Sequence, residues 1–167
     1  MVQNVNSSAI PHSRFERLIC RRHAIGLAIL VTLGLTSGNA GAAGSGSEVV
    51  RVAKRYKGAR YKWGGASPKG FDCSGFTWYV YQKAANMDIT RGVEGQWKRG
   101  HSVSRGKLRP GDLVFFENTF ERGLSHVGIF IKGKNFIHAE NENTGVVISS
   151  LDSDYYRKHY AGARRLL

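Results

Sequence analysis

The hexapeptide FDCSGF, residues 71–76, decides how the middle of the chain folds. After it, apolar residues recur at every fourth position, the spacing of one helix face, at Phe76, Val80 and Ala84. Asp72 is a residue type favoured at a helix N-cap, so we predict a helix from Cys73 to about Ala85. In the first turn of a helix, unpaired N–H groups and the helix dipole favour a thiolate. The position therefore predicts a lowered pKa for the Cys73 thiol.

Cys73 allows four interpretations: a packed small residue, half of a disulfide, a metal ligand or a nucleophile. A lone cysteine is most often simply buried, so the nucleophile interpretation needs support from the rest of the chain. Gly75, two residues later, has no side chain and would let a substrate backbone approach the thiol closely.

Residues 1–42 follow the order of a secretory signal peptide. Four arginines and one glutamate occupy the first 23 residues, an apolar segment of 12 residues follows at 24–35, and small residues come next. An anchor that spans a membrane takes about 20 apolar residues, so we expect no stable membrane anchor. A buried N-terminal helix is the alternative, but the Gly/Ala/Ser run after it argues against packing. We expect a signal peptide over 1–42, a short linker over 43–47, one domain over 48–167, and export to the periplasm or the cell exterior.

Cysteine content and charge follow from that division of the chain. Cys20 lies in the predicted leader, so the mature protein would keep Cys73 alone and could form no internal disulfide. The whole chain has a net charge of +13, and the part after the leader has +10. For an exported protein such a charge indicates anionic cell-wall polymer as a partner, or else a solvated basic surface. Because export takes the protein away from cellular DNA, we expect no nucleic-acid binding.

Helix signals come before strand signals along the chain. We predict a helix from the cap Ser47 to Lys57 and a short helix over 93–98. Four β-rich runs follow at 109–117, 125–131, 135–140 and 145–150, with a possible fifth at 160–167. This order predicts an α+β fold in which N-terminal helices pack on a largely antiparallel sheet.

Two histidines lie in neighbouring predicted strands. His126 begins one strand and His138 lies in the next, with a hairpin turn at Lys132–Asn135 between them. Symmetric pairing about that turn places the two rings opposite or diagonal to each other, within side-chain reach. One imidazole could then take the Cys73 proton while the other orients it, which is the thiol–base–orienter order of a cysteine peptidase. A zinc site of the same three residues is an alternative, although the chain has no closely spaced ligand pair.

Longer segments resemble a known family. In order and spacing, YKGARYKWGGASPKGFDCSGF (56–76), LRPGDLVFF (108–116), SHVGIFI (125–131) and FIHAE (136–140) resemble NlpC-type cysteine peptidases, which cut peptidoglycan stem peptides. The resemblance covers nearly all of residues 48–167 and implies a papain-like catalytic core.

The resemblance also implies roles for individual residues. Cys73 would be the nucleophile, His126 the general base and His138 the orienting residue. Tyr61 would lie near the oxyanion, and Asp72 and Ser74 would contact substrate in addition to capping the helix. No cofactor or metal is implied, and we expect a monomer.

The implied substrate is the peptidoglycan stem peptide, cut at the D-γ-glutamyl–diaminopimelate bond or its lysine equivalent. Three alternatives stay open: cleavage of the D-alanyl–diaminopimelate cross-link, a wall-binding module without activity, and a thiol amidase or acyltransferase on the same scaffold.

Overall fold

The computed structural model describes residues 44–167, which form four α-helices, one short 3₁₀ helix (Arg105–Lys107) and eight strands. The helices are α1 (Gly46–Lys54), α2 (Cys73–Ala85), α3 (Val93–Trp97) and α4 (Asp154–His159). The strands are β1 (Ala66–Ser67), β2 (Gly70–Phe71), β3 (His101–Ser102), β4 (Leu113–Glu117), β5 (Leu124–Lys132), β6 (Asn135–Ala139), β7 (Val146–Ser150) and β8 (Tyr160–Arg165). The predicted signal peptide and Cys20 lie outside these residues. Within residues 44–167, no helix has the length and apolar character needed to cross a membrane.

Six strands form one antiparallel sheet, in the order β3-β8-β4-β5-β6-β7. The short β1 and β2 pair separately as a hairpin just before α2. All five strands predicted after residue 108 are present, and helices α1 and α2 contact the sheet at its central strand β5. The α+β prediction is confirmed.

Both faces of the central strands are covered, which explains why LVFF in β4 shows no polar alternation. Leu113 and Phe115 pack in the core shared with α1 and α2. Val114 and Phe116 point the other way, into a second core that includes Tyr156 of α4. The second core is the environment in which the two strand histidines are found.

Helix α2 begins as predicted, whereas α1 begins earlier than predicted. The α1 N-cap is Ser45, whose hydroxyl accepts a hydrogen bond from the Glu48 N–H at 3.2 Å, and Ser47 lies inside the helix. The backbone N–H of Gly44 donates to the Ala84 carbonyl at 3.0 Å. Residues 44–47, expected to be linker, therefore belong to the folded domain.

Candidate active site

Cys73 occupies the first turn of α2, and its side chain is buried, with 5% exposed. Asp72 is the N-cap: its Oδ1 accepts the Gly75 N–H at 2.6 Å and the Ser74 hydroxyl at 3.1 Å. The capping role predicted for Asp72 is confirmed, whereas the Ser74 hydroxyl caps no backbone group and donates to the Asp72 carboxylate instead. Both residues also line the same cavity as Cys73, where substrate contact stays a prediction.

Gly75 permits a close backbone approach, but the approaching backbone belongs to this chain. A Cβ at position 75 would lie 2.0 Å from the carbonyl oxygen of Gly65. The same carbonyl accepts the N–H of Asp72 at 2.9 Å. The expectation that Gly75 makes room for a substrate backbone was therefore wrong, since the glycine seats the 61–65 loop against the start of α2.

A buried glutamine from α3 holds the first turn of α2. Gln96 is fully buried, and its Nε2 donates to the Ser74 carbonyl at 2.9 Å and to the Thr90 carbonyl at 3.1 Å. Its Oε1 accepts the Thr77 hydroxyl at 2.7 Å. This glutamine thus fixes the turn that carries the thiol.

The two strand histidines are in direct contact. His126 Nε2 lies 2.7 Å from His138 Nδ1, and the ring planes are perpendicular. The β5–β6 register pairs Ile129 with Ile137, which makes the two histidines diagonal neighbours, as predicted.

The contact between the two rings determines which ring nitrogen of His126 can accept a proton from another group. Nε2 is used in the bond to His138, so only Nδ1 remains to accept a proton from another group. For Nδ1 to be the acceptor, His126 Nε2–H must donate to His138 Nδ1, which places the His138 proton on Nε2. His138 Nε2 lies 3.0 Å from the Ser149 hydroxyl on β7, which can accept that proton. Ser149 is therefore compatible with the tautomer that a base at His126 requires.

Burial governs the pKa of both histidines. His126 is 5% exposed and His138 is fully buried, among the rings of Phe116, Phe136 and Tyr156. Desolvation lowers the pKa of His126 to about 4, and it lowers the pKa of His138 well below the ordinary value, with His126 adding to the effect. Both rings are therefore neutral at pH 7, the state in which His126 can act as a base.

The predicted lowering of the Cys73 pKa was wrong. Burial, and next the charge of Asp72, raise the pKa of the thiol to about 12. Backbone N–H groups of Val127, Ser74 and Cys73 act in the lowering direction, as the helix-start argument expects, but burial outweighs them. Within residues 44–167 the thiol forms no hydrogen bond with His126. The free site therefore holds a neutral thiol beside neutral imidazoles, with the Val127 N–H, one residue after His126, directed at the sulfur.

Cys73 opens into a cavity of about 430 Å³. Its walls come from the 61–65 loop, the start of α2, α3 and the 120–125 segment: Tyr61, Trp63, Asp72, Cys73, Ser74, Arg91, Gly92, Val93, Glu94, Gly95, Phe120, Glu121, Leu124 and Ser125. The exposed rings of Trp63 and Phe120 meet edge to face at 5.7 Å and join two of these walls. Burial raises the pKa of Tyr61 to about 12, so its phenol keeps the proton that an oxyanion donor needs.

A second cavity of about 400 Å³ lies on the His126 side. It is lined by Thr119, Phe120, His126, Glu140, Asn141, Tyr155 and Tyr156. Phe120 is common to both cavities, so thiol and imidazole open into adjoining spaces.

The zinc alternative does not match this geometry. Residues 44–167 contain no group of three His, Cys, Asp or Glu side chains arranged to hold a metal ion. One nitrogen of each histidine is also used in the bond between the two rings.

The structure brings Tyr61, Asp72, Cys73 and Ser74 to one cavity and pairs His126 with His138 beside it. Sequence reasoning missed Gln96, Ser149 and Arg91, which hold or line the site. Arg91 follows no recognisable pattern in the sequence. Gln96 and Ser149 contact site residues that lie more than ten positions away along the chain.

Known proteins share this domain. A family model described as the NlpC/P60 family matches residues 58–165. Over 118 residues the chain is 42% identical to the gamma-DL-glutamyl hydrolase of Bacillus subtilis (strain 168), in a match that covers 70% of this chain and 28% of that protein. Over 112 residues it is 43% identical to the murein DD-endopeptidase MepS/murein LD-carboxypeptidase of Escherichia coli (strain K12), covering 67% of this chain and 58% of that protein.

Solved structures agree with these relatives. The fold superimposes on the crystal structure of an NlpC/P60 family protein from Bacillus cereus ATCC 10987 with a TM-score of 0.69 and 35% identity, over 74% of this chain and 40% of that one. The chain spans less than two thirds of the length of each of these three proteins. Because the family model covers more than half of the chain, the resemblance seen in the sequence is confirmed, and the chain belongs to the NlpC/P60 family.

Proposed function

We propose that this chain is an exported cysteine endopeptidase that hydrolyses amide bonds in the stem peptides of peptidoglycan. One observation carries the proposal: the 2.7 Å contact that His138 makes with His126, which lines a cavity next to the one that contains Cys73. A neutral, oriented imidazole near a thiol at a helix start is the arrangement that nucleophilic acyl transfer requires. The B. subtilis and E. coli relatives, named a glutamyl hydrolase and a murein endopeptidase, support the same chemistry.

In the proposed acylation step, Cys73 transfers its proton to His126 Nδ1 as the sulfur attacks the amide carbonyl. A C–S bond forms, and His126 then gives the proton to the departing nitrogen as the C–N bond breaks. The product is a thioester, which a water molecule hydrolyses with His126 again acting as base. Because burial raises the pKa of the free thiol, removal of its proton by His126 is part of the proposed acylation step.

Two donors would stabilise the oxyanion that forms on the carbonyl. The backbone N–H of Cys73 lies in the first turn of α2, where it has no partner within the helix. The Tyr61 phenol lines the same cavity and stays protonated, because its pKa is raised to about 12. An N–H and an O–H together would bind the developing charge.

One side chain of the Cys73 cavity, Arg91, suits the D-γ-glutamyl–diaminopimelate bond, and the carboxylates of Asp72, Glu94 and Glu121 line the same cavity. A γ-linked D-glutamyl residue carries a free α-carboxylate on the acyl side of the scissile bond, whereas a D-alanyl residue carries none. Arg91 lines this cavity and is held against the 61–65 loop by a 2.9 Å bond to the Gly64 carbonyl. A guanidinium in that place suits a carboxylate.

The D-alanyl–diaminopimelate cross-link is the second candidate bond. It is favoured by the name of the E. coli relative, a murein DD-endopeptidase, which is 43% identical over 112 residues.

Defined substrates decide between the two bonds. Purified protein would be incubated with the tripeptide L-Ala-γ-D-Glu-diaminopimelate and, separately, with a D-Ala-diaminopimelate cross-linked dimer, and products identified by mass spectrometry. The proposal predicts release of L-Ala-D-Glu from the tripeptide. Cleavage of the dimer alone would select the second candidate, and cleavage of neither by folded protein would overturn the endopeptidase assignment.

A further inference from the structure

The cavity on the His126 side has a chemical character of its own. Its charged side chain is Glu140, and neither lysine nor arginine lines it. This is unusual in a domain whose described residues have a net charge of +10. A carboxylate in such a space favours a cationic ligand.

Glu140 is held in place by a neighbour. Its Oε1 accepts the Tyr156 hydroxyl at 2.8 Å, and within residues 44–167 it forms no ion pair with a basic side chain. The charge of this half-buried carboxylate is thus not neutralised by the protein. The half-exposed rings of Phe120 and Tyr155 line the same cavity, and aromatic faces also attract cations.

The cavity on the His126 side lies where the leaving group of the proposed reaction would be. Under the proposed function, on which this inference rests, His126 gives its proton to the nitrogen that departs. The residue that follows the scissile bond therefore lies beside His126, on the side of this second cavity. In a stem peptide that residue is a diamino acid, diaminopimelate or lysine, whose second amine is an ammonium group when it is not cross-linked.

We propose that Glu140 is a specificity-determining residue, which binds the free side-chain ammonium of the diamino acid after the scissile bond. The ammonium donates a hydrogen bond to the Glu140 carboxylate and lies between the rings of Phe120 and Tyr155. An acylated amine, as in a cross-linked stem, has neither the charge nor the donors for this contact. The chain therefore prefers stem peptides whose side-chain amine is free.

Paired substrates test the inference. The peptide L-Ala-γ-D-Glu-L-Lys-D-Ala would be compared with its Nε-acetyl derivative, using wild type, Glu140→Gln and the control Glu117→Gln. Glu117 is exposed at the end of β4 and lines neither cavity, so its variant removes one carboxylate without touching the site. Glutamine at 140 keeps an oxygen acceptor for Tyr156 while removing the charge.

Wild type and Glu117→Gln should prefer the free amine by about tenfold in kcat/KM, the size expected of one charged hydrogen bond, with the difference mainly in KM. In Glu140→Gln the ratio of the two kcat/KM values should fall to about one. The wild-type ratio should also decrease with added salt, a readout that does not depend on any variant folding.

Equal rates of wild type on the two peptides would overturn the inference and leave the proposed function intact. So would a Glu140→Gln protein that keeps the full preference, since the ammonium would then be recognised elsewhere. Failure of wild type to cut either peptide would instead contradict the proposed function.

Discussion

Acid should destabilise the domain through His126 in a way that one substitution removes. The pKa of this buried imidazole is about 4 in the folded protein, whereas an unfolded histidine has a pKa of about 6.5. Between these values the unfolded chain binds a proton that the folded chain refuses. The contribution of neutral His126 to the free energy of unfolding is therefore fully present above pH 6.5, and it is lost as the pH falls from about 6.5 to 4.

The size of the effect follows from the same two values. They differ by about 2.5 pH units, and each unit corresponds to 1.36 kcal/mol, so His126 alone removes about 3 kcal/mol from the free energy of unfolding by pH 4. That is a large part of the 5–15 kcal/mol typical of a domain. Burial lowers the pKa of His138 too, so it acts in the same direction.

Urea unfolding at pH 7, 5.5 and 4.5, followed by tryptophan fluorescence, measures this loss. Wild type should be compared with His126→Gln and with His101→Gln, whose histidine is exposed on β3. His126→Gln starts from a lower stability but should lose about 2–3 kcal/mol less between pH 7 and 4.5 than the other two proteins. Because His126 is the one titratable side chain that differs between His126→Gln and wild type, identical pH dependence in these two proteins would show that this imidazole is not held neutral by burial.

Three further outcomes are expected. The pKa of Cys73 is raised to about 12 in the native protein, whereas an unfolded thiol has a pKa of about 8.5. Iodoacetamide at pH 7 should therefore alkylate the native protein more slowly than the urea-unfolded chain. Faster labelling of the native protein would mean a preformed thiolate. Gln96→Leu leaves the Thr77 hydroxyl and the Ser74 carbonyl without this partner, so urea unfolding should show a loss of about 1–3 kcal/mol, and an unchanged midpoint would refute the role given to Gln96. If the domain, with its net charge of +10, binds anionic wall polymer, the first of the two interpretations of that charge, retention of Cys73→Ala on purified sacculi should fall steeply between low and moderate salt. Salt-independent retention would contradict this interpretation.

Features fixed by neighbouring residues were predictable from the sequence. Helix α2 and its cap Asp72 depend on contacts within a few positions, and the structure agrees with the prediction. The contact between His126 and His138 could also be predicted from the sequence, because a short hairpin sets the register of β5 against β6.

Features fixed by tertiary packing were not predictable. Gln96 reaches Ser74 across 22 positions, and Ser149 reaches His138 across 11, with no local signal for either contact. The direction of the Cys73 pKa shift was missed for the same reason: a helix start is visible in sequence, but the depth at which the thiol is buried is not. Helix α4 was missed although Ser153 caps it, because it has only 6 residues and no apolar period.

Digestion of purified peptidoglycan by wild type and by Cys73→Ala tests the central claim most directly. Replacing the thiol by a methyl removes the nucleophile and little packing, which circular dichroism of the variant would verify. Wild type should release soluble fragments that mass spectrometry shows to have new amino termini inside the stem peptide, and Cys73→Ala should release none. Cleavage confined to the sugar chain, or stem-peptide cleavage that persists in Cys73→Ala, would contradict the assignment of Cys73 as the nucleophile.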